Sequence, residues 1–152
     1  MVTRALAVLI IVLAGCGRRL TGLISPGDLG PRLTTPEGRE LSLIVEGDAR
    51  GLGALSGWLV EVRGARAFGA VRVADWSIVS GPADLPAYVG RLERRGLMWG
   101  LTDRSTGAFV VFEGWPELPV GALVAVEGWI DGPHRVHVVA VTVLRPPDGA
   151  GG

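Results

Sequence analysis

Apolar residues fall along this chain in two patterns. From Ala5 to Leu13 they run without a break, after the short charged start Met1-Val2-Thr3-Arg4. Further on they alternate with polar or small residues, the period-two signature of strands that turn one face to a core. The fourth strand of the second half is the clearest case: Val124, Val126, Gly128 and Ile130 share one face, and Ala125, Glu127 and Trp129 the other. Trp129 is thereby expected on the outside. Five such segments fill this half, at Tyr88–Glu93, Leu97–Asp103, Ala108–Glu113, Ala122–Asp131 and Arg135–Leu144. Turn chemistry separates them, in Arg95-Gly96, Ser105-Thr106-Gly107, Trp115-Pro116-Glu117-Leu118-Pro119 and Asp131-Gly132-Pro133. No stretch beyond the first apolar run keeps a 3.6-residue period. The remainder is predicted to be nearly all β.

The first half repeats the second. Leu59-Val60-Glu61-Val62-Arg63-Gly64 matches Leu123-Val124-Ala125-Val126-Glu127-Gly128 at a spacing of 64, and Val71-Arg72-Val73 matches Val136-His137-Val138 at 65. Upstream, Glu46-Gly47 matches Glu113-Gly114 at 67, and Gly22 matches Gly90 at 68. The drift places three extra residues of the first copy between Gly47 and Leu59, where Gly51 to Gly57 reads as a flexible glycine-rich loop. Gly90 in the first strand, the turn glycine Gly107, and the run from Val120 to Gly128 together resemble the OB-fold, a five-stranded Greek-key barrel. Strand glycines let such a small barrel bend sharply enough to close. The resemblance implies two tandem OB-like barrels, at residues 20–83 (degenerate) and 86–147, with a linker around Pro82-Ala83-Asp84-Leu85-Pro86 and a tail at 148–152. A single barrel or sandwich sharing strands between the copies is the alternative. Only Trp115 to Pro119 joins the third and fourth strands of the second copy, where many OB-folds carry a helix. That leaves an end for the neighbouring copy to cover.

The first apolar run is too short to span a bilayer, because a spanning helix needs about 20 apolar residues and Arg18 and Arg19 end the segment. It has the n-region and h-region of a secretory signal. At its end, Leu13-Ala14-Gly15-Cys16 resembles the lipobox of bacterial lipoprotein signal peptides, in which two small residues precede a cysteine that takes up a diacylglyceryl group as a thioether. An ordinary cleaved signal, an uncleaved anchor and a buried strand with an incidental cysteine are the competing readings. Cys16 is the only cysteine in the chain, so no internal disulfide can use it. The resemblance implies cleavage after residue 15, with residues 16–19 as the lipid-attached start of the mature chain. It also implies a cell-envelope location; Gly17 after the cysteine favours the outer membrane in a cell with two membranes.

Removing residues 1–15 leaves 137, enough for one ordinary domain or two very small ones. Fourteen arginines then face 15 acids, so the basic excess usual in nucleic-acid binders is lacking. Lysine, asparagine and glutamine are absent from the whole sequence. His134 and His137 stand three apart, which in a strand points them to opposite faces, and no cysteine or carboxylate cluster completes a metal set. The glycine spacing of residues 51–57 is wrong for a phosphate loop, and no serine sits in a G-x-S-x-G elbow. Neither catalysis nor a cofactor is expected.

If these barrels bind as other OB-folds do, the second and third strands and the loops after the first and fourth form the surface. In the second copy they supply Arg94, Arg95, Trp99, Phe109, Phe112, Trp115, His134 and Arg135, to which the outward Trp129 is added. Arginines beside aromatic faces can stack on bases or sugars, or anchor a protein interface. The leading expectation is a membrane-anchored scaffold that holds another envelope protein, with its first barrel close to the lipid headgroups. An oligonucleotide- or oligosaccharide-binding lipoprotein is the alternative. Cys16→Ser is expected to leave an uncleaved, unacylated precursor; mass spectrometry of the native amino terminus checks this, and an unmodified mature peptide beginning elsewhere overturns it.

Overall fold

The computed structural model describes residues 17–114 and 117–149. The signal-like segment, Cys16, the pair Trp115-Pro116 and the last three residues lie outside that set. The strands are β1 (Arg18–Ser25), β2 (Arg32–Thr34), β3 (Glu40–Ile44), β4 (Leu59–Ala67), β5 (Ala70–Ser80), β6 (Ala87–Arg95), β7 (Met98–Asp103), β8 (Phe109–Glu113), β9 (Leu123–Ile130) and β10 (Arg135–Arg145). They form two tandem closed barrels. The first runs β1-β2-β3-β5-β4 and closes through β1 and β4; the second runs β6-β7-β8-β10-β9 and closes through β6 and β9. In each, the third and fifth strands are parallel and the remaining pairs antiparallel. This is the same OB-like Greek-key order twice, with no strand exchanged between copies.

Matched glycines close both barrels. A Cβ on Gly22 would collide with the Thr34 carbonyl oxygen and one on Gly90 with that of Thr102. Gly64 and Gly128 meet the Arg72 and His137 carbonyls in the same way. Each pair lies where two strands cross too closely for any side chain, which is why the repeat preserves them.

Inside the second barrel, Leu92, Leu101, Val110, Phe112, Val124, Val126 and Val136 form a buried cluster. The first barrel's cluster includes Leu33, Leu43, Val60, Val62, Val71 and Trp76, and it does not stop at the first copy. Val89 of β6 and Ala125 of β9 belong to it, with Ala87, Leu123 and Leu144 packed alongside. The contact between barrels is therefore side-on. The outer face of β6 and β9 lies against the first barrel, while the short β8–β9 connection covers its own core with Leu118. The expected cover of that end by the neighbouring copy is thus corrected.

A second correction concerns the glycine-rich loop. Residues Gly47–Ala54 form a 3-10 helix, and Ala49, Leu52 and Leu55 are buried in the first core. Their spacing of three is the period of that helix, which brings every third side chain onto one face. The segment packs on β10, with Gly51 against Leu144, and Arg145 Nη1 reaches Asp48 Oδ1 at 3.1 Å.

Glu127 fastens the linker at this junction. Although alternation turns it outward, its side chain is fully buried, and Oε1 accepts the Ala83 and Leu85 backbone N–H groups at 2.9 and 3.0 Å. Gly81 leaves room for it, since a Cβ there would strike the carboxyl group. Glu127→Ala removes an acceptor from two N–H groups and opens a void, so it is expected to cost about 2–4 kcal/mol, read from denaturant midpoints. An unchanged midpoint would show that the linker is held by other means.

Candidate functional site

The β6–β7 hairpin turns at Gly96 and Leu97, with Gly96 in the left-handed region at φ 63° and Leu97 thrown out to 91% exposure. Beside it lies a hollow of about 470 Å³ on the outside of β7 and β8, bordered by Leu97, Met98, Trp99, Glu113 and Arg135. Arginines lie over one aromatic ring of β7 and one of β8. The Arg94 guanidinium is 5.1 Å from the Trp99 ring centre, and that of Arg95 is 4.0 Å from the ring of Phe109. Arg95 Nη2 also donates to Glu93 Oε2 at 2.9 Å and to Thr102 Oγ1 at 3.1 Å. Thr102 Oγ1 donates in turn to Glu93 Oε1 at 2.8 Å, and this bond, followed by Arg95, holds the Glu93 carboxyl below the usual range. Arg95 is therefore neutralised as well as stacked.

The structure sets Arg94 on Trp99 and Arg95 on Phe109 as separate pairs, which the strand register puts on alternate faces of the sheet, and of these residues Trp99 and Arg135 line the hollow. Phe112 is corrected: its ring is only 5% exposed and belongs to the core, so it floors the hollow and does not project from it. His134 is exposed in the turn before β10, with φ 56°. Trp129 does lie outside, 49% exposed, and its ring stacks on His137 with centroids 4.5 Å apart. His137 Nδ1 is 3.6 Å from Glu113 Oε2, so the surface continues from the hollow through Glu113 and His137 to Trp129. Trp115 and Cys16 fall outside the described residues. Leu97, Met98, Glu113 and His137 were not among the expected surface residues. An apolar residue directly after a turn glycine is the one signal in the sequence that marks Leu97.

A smaller hollow, about 230 Å³, opens between the barrels and is lined by Asp75, Trp76, Val89, Asp103 and Arg104 among others. Arg104 bridges the copies: its guanidinium lies 5.1 Å above the Trp76 ring and 3.3 Å from Asp75 Oδ1. Burial pushes the adjacent Asp103 carboxyl up, but hydrogen bonds from Ser105 and Thr106 outweigh it and hold the group below its ordinary value. Among the described residues no group of three or more His, Cys, Asp or Glu gathers as a metal would require. No family model matches the chain, and no curated protein matches its sequence.

A depressed carboxyl pKa stabilises the fold above the unfolded value and loses that contribution as pH falls through the folded one. The stability advantage of the native protein over Asp103→Asn is accordingly expected to be full near neutrality and to shrink below about pH 4. Denaturation midpoints across that range test it; a constant difference would contradict the role given to Asp103.

Proposed function

We propose that this protein is a lipid-anchored binding module of the cell envelope that holds another envelope protein through the outside of its second barrel. The observation that carries this reading is the exposed apolar rim of Leu97 and Met98 beside the half-buried Trp99, continuous with Trp129 through Glu113 and His137. Apolar and aromatic side chains around a shallow hollow are what a protein interface desolvates, and tryptophan is prominent among interface hot spots. Anchoring rests on Cys16 and the lipobox-like residues before it.

The charges of this surface argue against nucleic acid as the main ligand. Six arginines and six acids lie between residues 86 and 147. Moreover, guanidinium groups already lie over the Trp99 and Phe109 rings, and Arg95 is spent on Glu93, so little is left for stacking bases or meeting phosphates.

A photocrosslinking amino acid at position 97 or 129 of the acylated protein, in intact envelopes, should capture one protein, identified by mass spectrometry. With that protein purified, Trp129→Ala is expected to weaken binding by about thirtyfold, the scale of an interface hot spot. Single-stranded DNA should bind the fragment 17–152 no more tightly than high micromolar at physiological salt. Salt-sensitive, submicromolar DNA binding that disappears in Trp99→Ala would replace this reading with the oligonucleotide one.

A further inference from the structure

We infer that the end of the first barrel at which β1 begins is a docking face for an anionic lipid surface, with Phe68 as the inserted side chain and Arg18, Arg39 and Arg66 as the phosphate contacts. This deepens the anchoring half of the proposed function, since it says how the barrel meets the membrane that the acylated residue would hold it to.

Strand pairing puts the residues together. Arg18 pairs with Gly64, so the β4–β5 hairpin runs on past the start of β1, and its tip at Phe68 lies roughly 13 Å further out at about 3.3 Å per residue. The β2–β3 turn reaches the same level, because Ser42 pairs in parallel with Ala70. Between these two tips and the start of β1 lies a hollow of about 640 Å³ lined by Arg18, Arg19, Arg39 and Arg66, with Glu37 as its one acid. Arg19 is paired with Glu61 at 3.6 Å. Among the described residues no carboxylate lies within ion-pair distance of Arg18, Arg39 or Arg66, and the Arg39 charge acts on the Glu37 carboxyl only from beyond that distance.

Phe68 makes this end more than a basic patch. It is the most exposed large apolar residue of the described chain, at 109%, and it holds a left-handed backbone at φ 51° in a turn completed by Gly69. A non-glycine residue in that region is disfavoured, and a bare aromatic ring in water gains nothing there. In the headgroup region the same ring is buried, while arginines beside it keep their guanidinium groups at phosphate level. The placement favours a lipid surface over a free anion, because a soluble phosphate would occupy the hollow and leave Phe68 in water.

The fragment 17–152 contains all ten strands and no cysteine, so it tests docking without the acyl group. Its co-sedimentation with vesicles of phosphatidylcholine and phosphatidylglycerol should exceed that with phosphatidylcholine alone and should fall as salt rises. Arg18→Ala, Arg39→Ala and Arg66→Ala are each expected to lower partitioning about fivefold, and Phe68→Ala about tenfold with little effect on salt dependence. A fluorophore on Phe68→Cys should shift to the blue on anionic vesicles, and one on Leu97→Cys should not. Equal binding to neutral vesicles, indifference to the arginine substitutions, or capture of inorganic phosphate without vesicle association would overturn the inference. An unacylated native Cys16 would instead remove the anchor reading and leave this result standing.

Discussion

One carboxyl group at the junction, that of Glu127, sets how the halves of this protein meet. It accepts the Ala83 and Leu85 N–H groups of the linker and fits where Gly81 has no side chain, so the chain leaving β5 is steered directly into β6. With that path fixed, Val89 and Ala125 reach the core of the first barrel, the 3-10 helix settles on β10, and Arg104 spans to Asp75. Each of these contacts needs the others. A linker of free conformation would have to give up considerable backbone entropy to make any one of them, whereas a linker already hydrogen-bonded gives up little.

The two surfaces argued for above draw on none of these junction residues. Leu97, Trp99 and Trp129 belong to the second barrel; Arg18 opens β1 of the first, and Arg66 and Phe68 lie at its β4–β5 hairpin. Occupying either would leave the packing between barrels undisturbed. Simultaneous attachment at both is what this layout serves.

Much of this architecture was legible in the residues. Alternation located the five strands of the second copy to within two residues at each end, and the spacing of glycines placed the closing strands of both barrels, because each rests on a local steric rule. What escaped was set by distant neighbours. Alternation turns Glu127 outward correctly, but only packing of the other barrel makes that outer face an interior. The helix at Gly47–Ala54 looks like a loop in the sequence because its glycines mask a spacing of three, carried by Ala49, Leu52 and Leu55, that differs from the 3.6-residue period of an α-helix. Phe112 was assigned to the surface by its strand, although its partners on the inward face, Val110 and Val136, share its burial. Phe68 carries no signal in the sequence, since a lone aromatic in a two-residue turn has no periodicity to break.

The junction joins unlike faces, and duplicated modules that join in this way can in principle add a third copy, then a fourth, without limit. Here the series is blocked by divergence at two positions. Where the second copy has Ala125 and Glu127 on its receiving face, the first has Glu61 and Arg63, which are engaged with Arg19 and Asp75. The first barrel can therefore accept a neighbour but cannot itself be accepted as one. It acts as the terminal unit of an array of two, in the manner of the polar capping repeats of solenoid proteins, and keeps separate molecules from polymerising head to tail.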